Sequence, residues 1–87
     1  MTTIIVKEIN QHTFQVTVDA GSTTQHEVNV DEAYAQKLTN GKISAAKLVK
    51  QSFEFLLERE SNNSILRRFN LSVISHYFPE YESIISK

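Results

Sequence analysis

Hydrophobic positions alternate with polar ones through the first thirty residues, and the alternation predicts strands. Thr3 to Ile9 is rich in β-branched residues. From Thr13 to Ala20, Phe14, Val16 and Val18 share one face, while Gln15, Thr17 and Asp19 share the other. Thr24 to Val30 repeats the pattern with His26, Val28 and Val30. Ala20-Gly21-Ser22-Thr23 supplies a turn, because Gly21 accepts positive φ at little steric cost. Matching faces sets Val18 opposite His26, Val16 opposite Val28 and Phe14 opposite Val30, with Gly21 to Thr23 as the loop. The same logic sets Val6 opposite Phe14 and Ile4 opposite Val16, with a turn over Ile9 to Gln11. A one-residue slip would turn a strand's valines to water. The outcome is a three-stranded antiparallel meander over residues 1–30. Ile5 and Ile9 fall on its second face, where nothing in the sequence accounts for them.

From residue 31 the spacing becomes helical. Asp31 suits an N-cap, and Glu32 to Thr39 reads as a short helix ended by Asn40-Gly41. Ser44 caps a longer helix, Ala45 to about Glu60. Its core stripe is Ala45, Leu48, Val49, Phe53, Leu56 and Leu57, with Phe55 off the stripe's centre. After the polar break Ser61 to Ser64, Ile65 to Phe69 reads as a short helix with Asn70 at its end. A further helix runs from Ser72 to Phe78 and stops at Pro79. Glu80 to Lys87 forms an amphipathic tail that docks Tyr81, Ile84 and Ile85. The fold expected is therefore α+β: the meander over 1–30, then one long and several short helices over 31–87.

Length and composition narrow the function classes. The chain has 87 residues, room for one domain and too few for two independent cores. It is 40% hydrophobic and 22% charged, as ordered globular chains are. Cysteine is absent, so neither disulfides nor thiolate metal sites can form. Missing signal-peptide features and the lack of a long apolar run lead us to expect a cytoplasmic protein with no membrane partner. The formal charge of −1 supplies no field to draw in nucleic acid.

Catalytic chemistry finds little support. His12, His26 and His76 lack the local spacing of a zinc site and read as surface or half-buried histidines with a local hydrogen bond. Glu54 and Glu58 lie one turn apart, beside Lys50 and Arg59, on what reads as a solvated helix face. No serine sits in a Gly-flanked elbow, and two glycines cannot make a phosphate-cradling loop. We expect no enzyme activity, cofactor or metal.

Two binding classes remain. One is a module that binds a protein partner or itself, as a homodimer for instance, through Phe55, Ile5, Ile9 and Tyr81, since aromatic side chains anchor interfaces. The other is a nucleic-acid-binding regulator that uses Arg67, Arg68, Ser72, Ser75 and His76 on a helix-turn-helix-like segment, 65–78. The second helix of that segment is short for the major groove, and Glu80 and Glu82 follow it, so this is the alternative.

The strings Ser52–Glu60 (SFEFLLERE), Ser64–Leu71 (SILRRFNL) and Tyr77–Glu82 (YFPEYE) resemble the pattern S-F-x-F-L-L-E-R-E, S-I-L-x-x-F-[DN]-L, Y-F-P-x-Y-E of a family of small uncharacterised bacterial proteins. The resemblance covers mainly the second half, with Tyr34 to Gly41 matching loosely. It implies a bacterial, single-domain protein and carries no catalytic or binding residue across.

Overall fold

The computed structural model describes residues 2–86; Met1 and Lys87, the last residue of the expected tail, lie outside the described residues. Strand β1 (Thr3–Asn10), β2 (Thr13–Asp19) and β3 (Thr23–Asn29) form the expected antiparallel meander. Helix α1 (Glu32–Thr39) and helix α2 (Ala45–Leu57) follow, then a 3₁₀ turn at Asn62–Ser64. A fourth strand, β4 (Arg68–Asn70), precedes two short helices, α3 (Val73–Tyr77) and α4 (Tyr81–Ile85). The sheet order is β1-β2-β3-β4, with β4 parallel to β3. The class is thus α+β, as the patterning implies, but with a four-stranded mixed sheet.

The apolar face is the one expected, and the register is not. Val16 pairs with His26, Phe14 with Val28 and Val18 with Thr24. In the first hairpin Val6 pairs with Val16 and Ile4 with Val18. Both corrections shift the cross-strand partner by two residues. Face matching determines only parity, because a two-residue slip keeps every side chain on its own face. The turns decide the rest. Asp19 pairs with Thr23, which leaves Ala20-Gly21-Ser22 as the loop with Gly21 at φ 95°. The first hairpin turns at Gln11-His12, held by the His12 amide donating to Asn10 Oδ1 at 2.9 Å, and a bulge between Glu8 and Asn10 absorbs Ile9.

Phe14, Val16, Val18, Val28 and Val30 are buried on the inner face, and α2 covers them with Leu48, Val49, Phe53 and Leu56. α1 begins where Asp31 accepts from the Ala33 amide and ends at Asn40 in the left-handed region. Ser44 caps α2 through the Lys47 amide. α2 stops at Leu57, three residues short of the expected end. There the Arg59 guanidinium donates to the Phe55 carbonyl at 3.1 Å, satisfying one of the acceptors a helix C-terminus leaves free.

The helix expected over Ile65–Phe69 does not form. Residues 68–70 are a strand, and Asn70 pairs with Asn29 instead of ending a helix. Without β4, β3 would be a bare edge. The parallel ladder closes it with the Glu27 amide donating to the Arg67 carbonyl (2.7 Å) and the Leu71 amide donating to the Asn29 carbonyl (2.9 Å). Ser72 precedes α3 but makes no side-chain cap, and α3 ends before Phe78-Pro79. Among the described residues no helix is long and apolar enough to cross a membrane.

A candidate binding groove

The segment from Asn62 to Phe78 folds back across the end of α2 and leaves an open groove of about 280 Å³. Leu56 of α2, Ile65, Leu66 and Phe69 of the returning chain, and Val73, Ile74, Tyr77 and Phe78 around α3 line it. Glu60 and Ser64 are its polar members. Leu66 and Tyr77, at 47% and 67% exposure, are two of the five exposed large hydrophobic residues among the described ones.

A buried polar chain holds one wall in place. Asn62 Nδ2 donates to the Ser22 carbonyl and to Thr24 Oγ1, both at 3.0 Å. Thr24 Oγ1 lies 2.8 Å from His26 Nε2, and His26 Nδ1 lies 2.8 Å from the Leu66 carbonyl. A carbonyl only accepts, so Nδ1 carries the ring proton and Nε2 accepts the Thr24 hydroxyl proton. Every member is satisfied, and the chain runs in one direction from Asn62 to Leu66. The His26 ring also packs on Phe53, centroids 5.3 Å apart, and Phe53 packs on Phe69 at 6.0 Å. His26 is fully buried, not at the surface, and its local bond to Thr24 is joined by a long-range bond. Burial pushes its pKa below the usual 6.5; the Leu66 carbonyl opposes that shift and the Arg67 charge adds to it.

The other wall rests on a second cluster. Phe55 meets Phe78 edge-on at 5.8 Å and Tyr81 at 5.2 Å, and Arg59 lies 3.7 Å above its ring. Tyr81 is fully buried, its hydroxyl 2.6 Å from Ser52 Oγ. Ser52 donates its own proton to the Leu48 carbonyl at 2.8 Å, so Tyr81 must be the donor to Ser52. Burial pushes the Tyr81 phenol up to about 12. The Tyr34 phenol is also raised, by burial first and then by its 2.8 Å bond to Glu82, which ties α1 to α4.

The residues singled out for partner binding therefore divide. Phe55 and Tyr81 are spent inside the fold, because α3 and α4 cap the side of α2 that the periodicity leaves open; they present no anchor. Ile5 and Ile9 stay exposed, at 58% and 53%, on the outer sheet face. Of the basic set, Arg68 pairs with Glu27 at 3.3 Å, and Arg67 lies exposed beside it. Ser75 Oγ donates to the Ser72 carbonyl, and His76 is exposed at the end of α3. Arg67 and Arg68 leave an extended segment and Ser75 and His76 a five-residue helix, so segment 65–78 contains no pair of consecutive helices. The expected helix-turn-helix arrangement is corrected accordingly: β3 captures residues 68–70 as a strand in place of the expected first helix. Among the described residues no three His, Asp or Glu side chains cluster as a metal site would need.

Sequence reasoning missed Leu66 and Tyr77 as groove residues and Asn62 as its anchor. His26 carried a usable signal, since it alternates in phase with Val28 and Val30. Asn62 carried none, since its partners lie forty residues away. Comparison with protein-family models, curated proteins and solved structures finds no match for this chain.

Proposed function

We propose that the protein is a non-catalytic interaction module whose groove takes an apolar side chain from a protein partner. One observation carries the reading: Leu66 and Tyr77 remain solvent-exposed along an apolar groove that also draws on the buried core residues Leu56, Ile65, Phe69 and Ile74. Exposed apolar surface gathered at a concavity marks a binding site more often than scattered apolar residues do. At about 280 Å³ the groove lies at the floor of the ~300–1,000 Å³ range usual for small-molecule sites. It is open and offers few convergent polar groups. One or two side chains of a peptide segment fit that description better than a cofactor does.

Charge specifies the partner further. Glu60 lines the groove and takes part in none of the ion pairs among the described residues. Glu58 and Glu80 lie beyond it and share the single Arg59. The partner we propose presents a large apolar residue flanked by lysine or arginine. The nucleic-acid alternative is less favoured, because the first of its two expected helices is absent: residues 68–70 are a strand, and only the second helix, α3, forms.

Two peptides test this: a phenylalanine with basic flanks, and the same sequence with acidic flanks. Titrations followed by amide NMR shifts should perturb Leu56, Leu66, Ile74 and Tyr77, with the basic peptide binding more tightly. Tyr77→Ser should weaken binding without lowering stability, since the side chain is mostly exposed. Shifts confined to the outer sheet face, or no shifts from either peptide, would overturn the reading.

A further inference from the structure

The two edges of the sheet are treated unequally. β4 is three residues long, a common way to blunt an edge. β1 has eight residues, Thr-Ile-Ile-Val-Lys-Glu-Ile-Asn, five of them β-branched, with no proline, and among the described residues it pairs only with β2. One side of its backbone is left without a partner strand. Its inner-face residues are also unfinished: Ile4 and Val6 are half-buried, whereas Val18 and Val16 directly opposite on β2 are fully buried. The apolar core thus runs to the edge of the sheet and stops there incompletely covered.

We propose that β1 pairs edge to edge with β1 of a second copy, antiparallel about a twofold axis at Ile5. Three observations select the register. The bulge between Glu8 and Asn10 distorts the far end of the strand, which leaves Thr3 to Lys7 as the regular stretch. Centred on Ile5, the pairs are Ile5 with Ile5, Ile4 with Val6 and Thr3 with Lys7, so apolar side chains meet apolar ones on both faces. Centring on Lys7 sets two ammonium groups opposite one another, and centring on Val6 sets Ile5 against Lys7 and Ile4 against Glu8. Like charges directly opposed are destabilising, and opposed β-branched residues are favourable. The result is an isologous contact that joins two sheets into one, finishes the cover of Ile4 and Val6, and accounts for exposed Ile5. It uses the β1 edge, which contributes no residue to the groove, and stands independently of the partner reading.

Cysteine scanning tests the register directly, because the chain has no cysteine. Opposed residues of an antiparallel pair have Cα atoms roughly 4.5–5.5 Å apart, within the ~4.4–6.8 Å a disulfide spans. Ile5→Cys should therefore cross-link into a covalent dimer on oxidation or with a short bis-maleimide. Ile9→Cys is about as exposed, but the two copies of residue 9 would be offset by eight residues, roughly 27 Å at ~3.4 Å per residue, and it should not. Sedimentation equilibrium of the unmodified chain should show a monomer–dimer equilibrium. Ile5→Lys should weaken the dimer about tenfold, equivalent to ~1.4 kcal/mol, while the circular dichroism of the dilute protein stays unchanged. Constant monomer mass up to high micromolar concentration would overturn the proposal and leave the edge to a strand of another protein. Equal cross-linking at residues 5 and 9 would overturn the register.

Discussion

Removing the Ser52 hydroxyl should cost more stability than removing the Tyr81 hydroxyl, although the two groups share one hydrogen bond. The direction of the chain decides this: Tyr81 donates to Ser52 at 2.6 Å, and Ser52 donates to the Leu48 carbonyl at 2.8 Å. Tyr81→Phe removes a donor and leaves Ser52 still bonded to Leu48. The expected loss is that of one ordinary bond, about 0.5–1.5 kcal/mol. Ser52→Ala leaves the phenol of a fully buried tyrosine with no acceptor. An unsatisfied buried donor costs about 1–3 kcal/mol, and the lost bond is included in that figure. In the double variant Ser52→Ala/Tyr81→Phe no polar group is stranded, so it should be more stable than Ser52→Ala alone. Urea unfolding of the four proteins, with the denaturant slopes checked for equality, reads all three differences. If Ser52→Ala costs no more than Tyr81→Phe, or if the double variant is the least stable of the set, the assigned donor direction is wrong.

Other consequences can be checked in the same way. Phe53→Ala empties a fully buried site beside His26 and Phe69 and should cost about 3–5 kcal/mol in chemical unfolding, a large share of a small domain's stability. His26 is held neutral in the fold with its pKa below 6.5, so the unfolded chain binds more protons. Stability, measured by thermal unfolding against pH, should be fully present above about 6.5 and fall as pH drops toward the lowered folded value, where the loss levels off; His26→Gln should flatten that slope. Asn62→Ala removes two hydrogen bonds but strands neither acceptor, since the Ser22 carbonyl keeps the Ala20 amide and the Thr24 hydroxyl still donates to His26; it should cost about 0.5–1.5 kcal/mol per lost bond, with amide exchange fastest in residues 61–70. Arg67→Ala/Arg68→Ala should change the melting temperature little, because the one ion pair lost, Arg68–Glu27, is exposed.

Local chemistry was enough to place the elements whose determinants lie within a few residues. Alternation at Phe14, Val16 and Val18, and at Val28 and Val30, marks the buried sheet face whatever the register, because a strand's side chains alternate by geometry. Asp31, Asn40 and Ser44 mark helix ends because caps act on amides and carbonyls two to four residues away. The limits of the sequence appear where partners are distant. Parity could not choose between registers two residues apart; Gly21 at the middle of its loop and the bulge at Ile9 chose. Residues 65–70 read as helical in isolation, and they run extended instead, with 68–70 a strand, because β3 offers an unpaired edge and the Asn62–Thr24–His26 chain ties the segment to it. Phe55 lay off the helical stripe and could have been exposed; α3 and α4 return to cover it, and that return is also what opens the groove between Leu66 and Tyr77. Spacing along the chain thus determined which faces are apolar. Only the packing of distant segments decided which of those faces are covered, and therefore which remain for a partner.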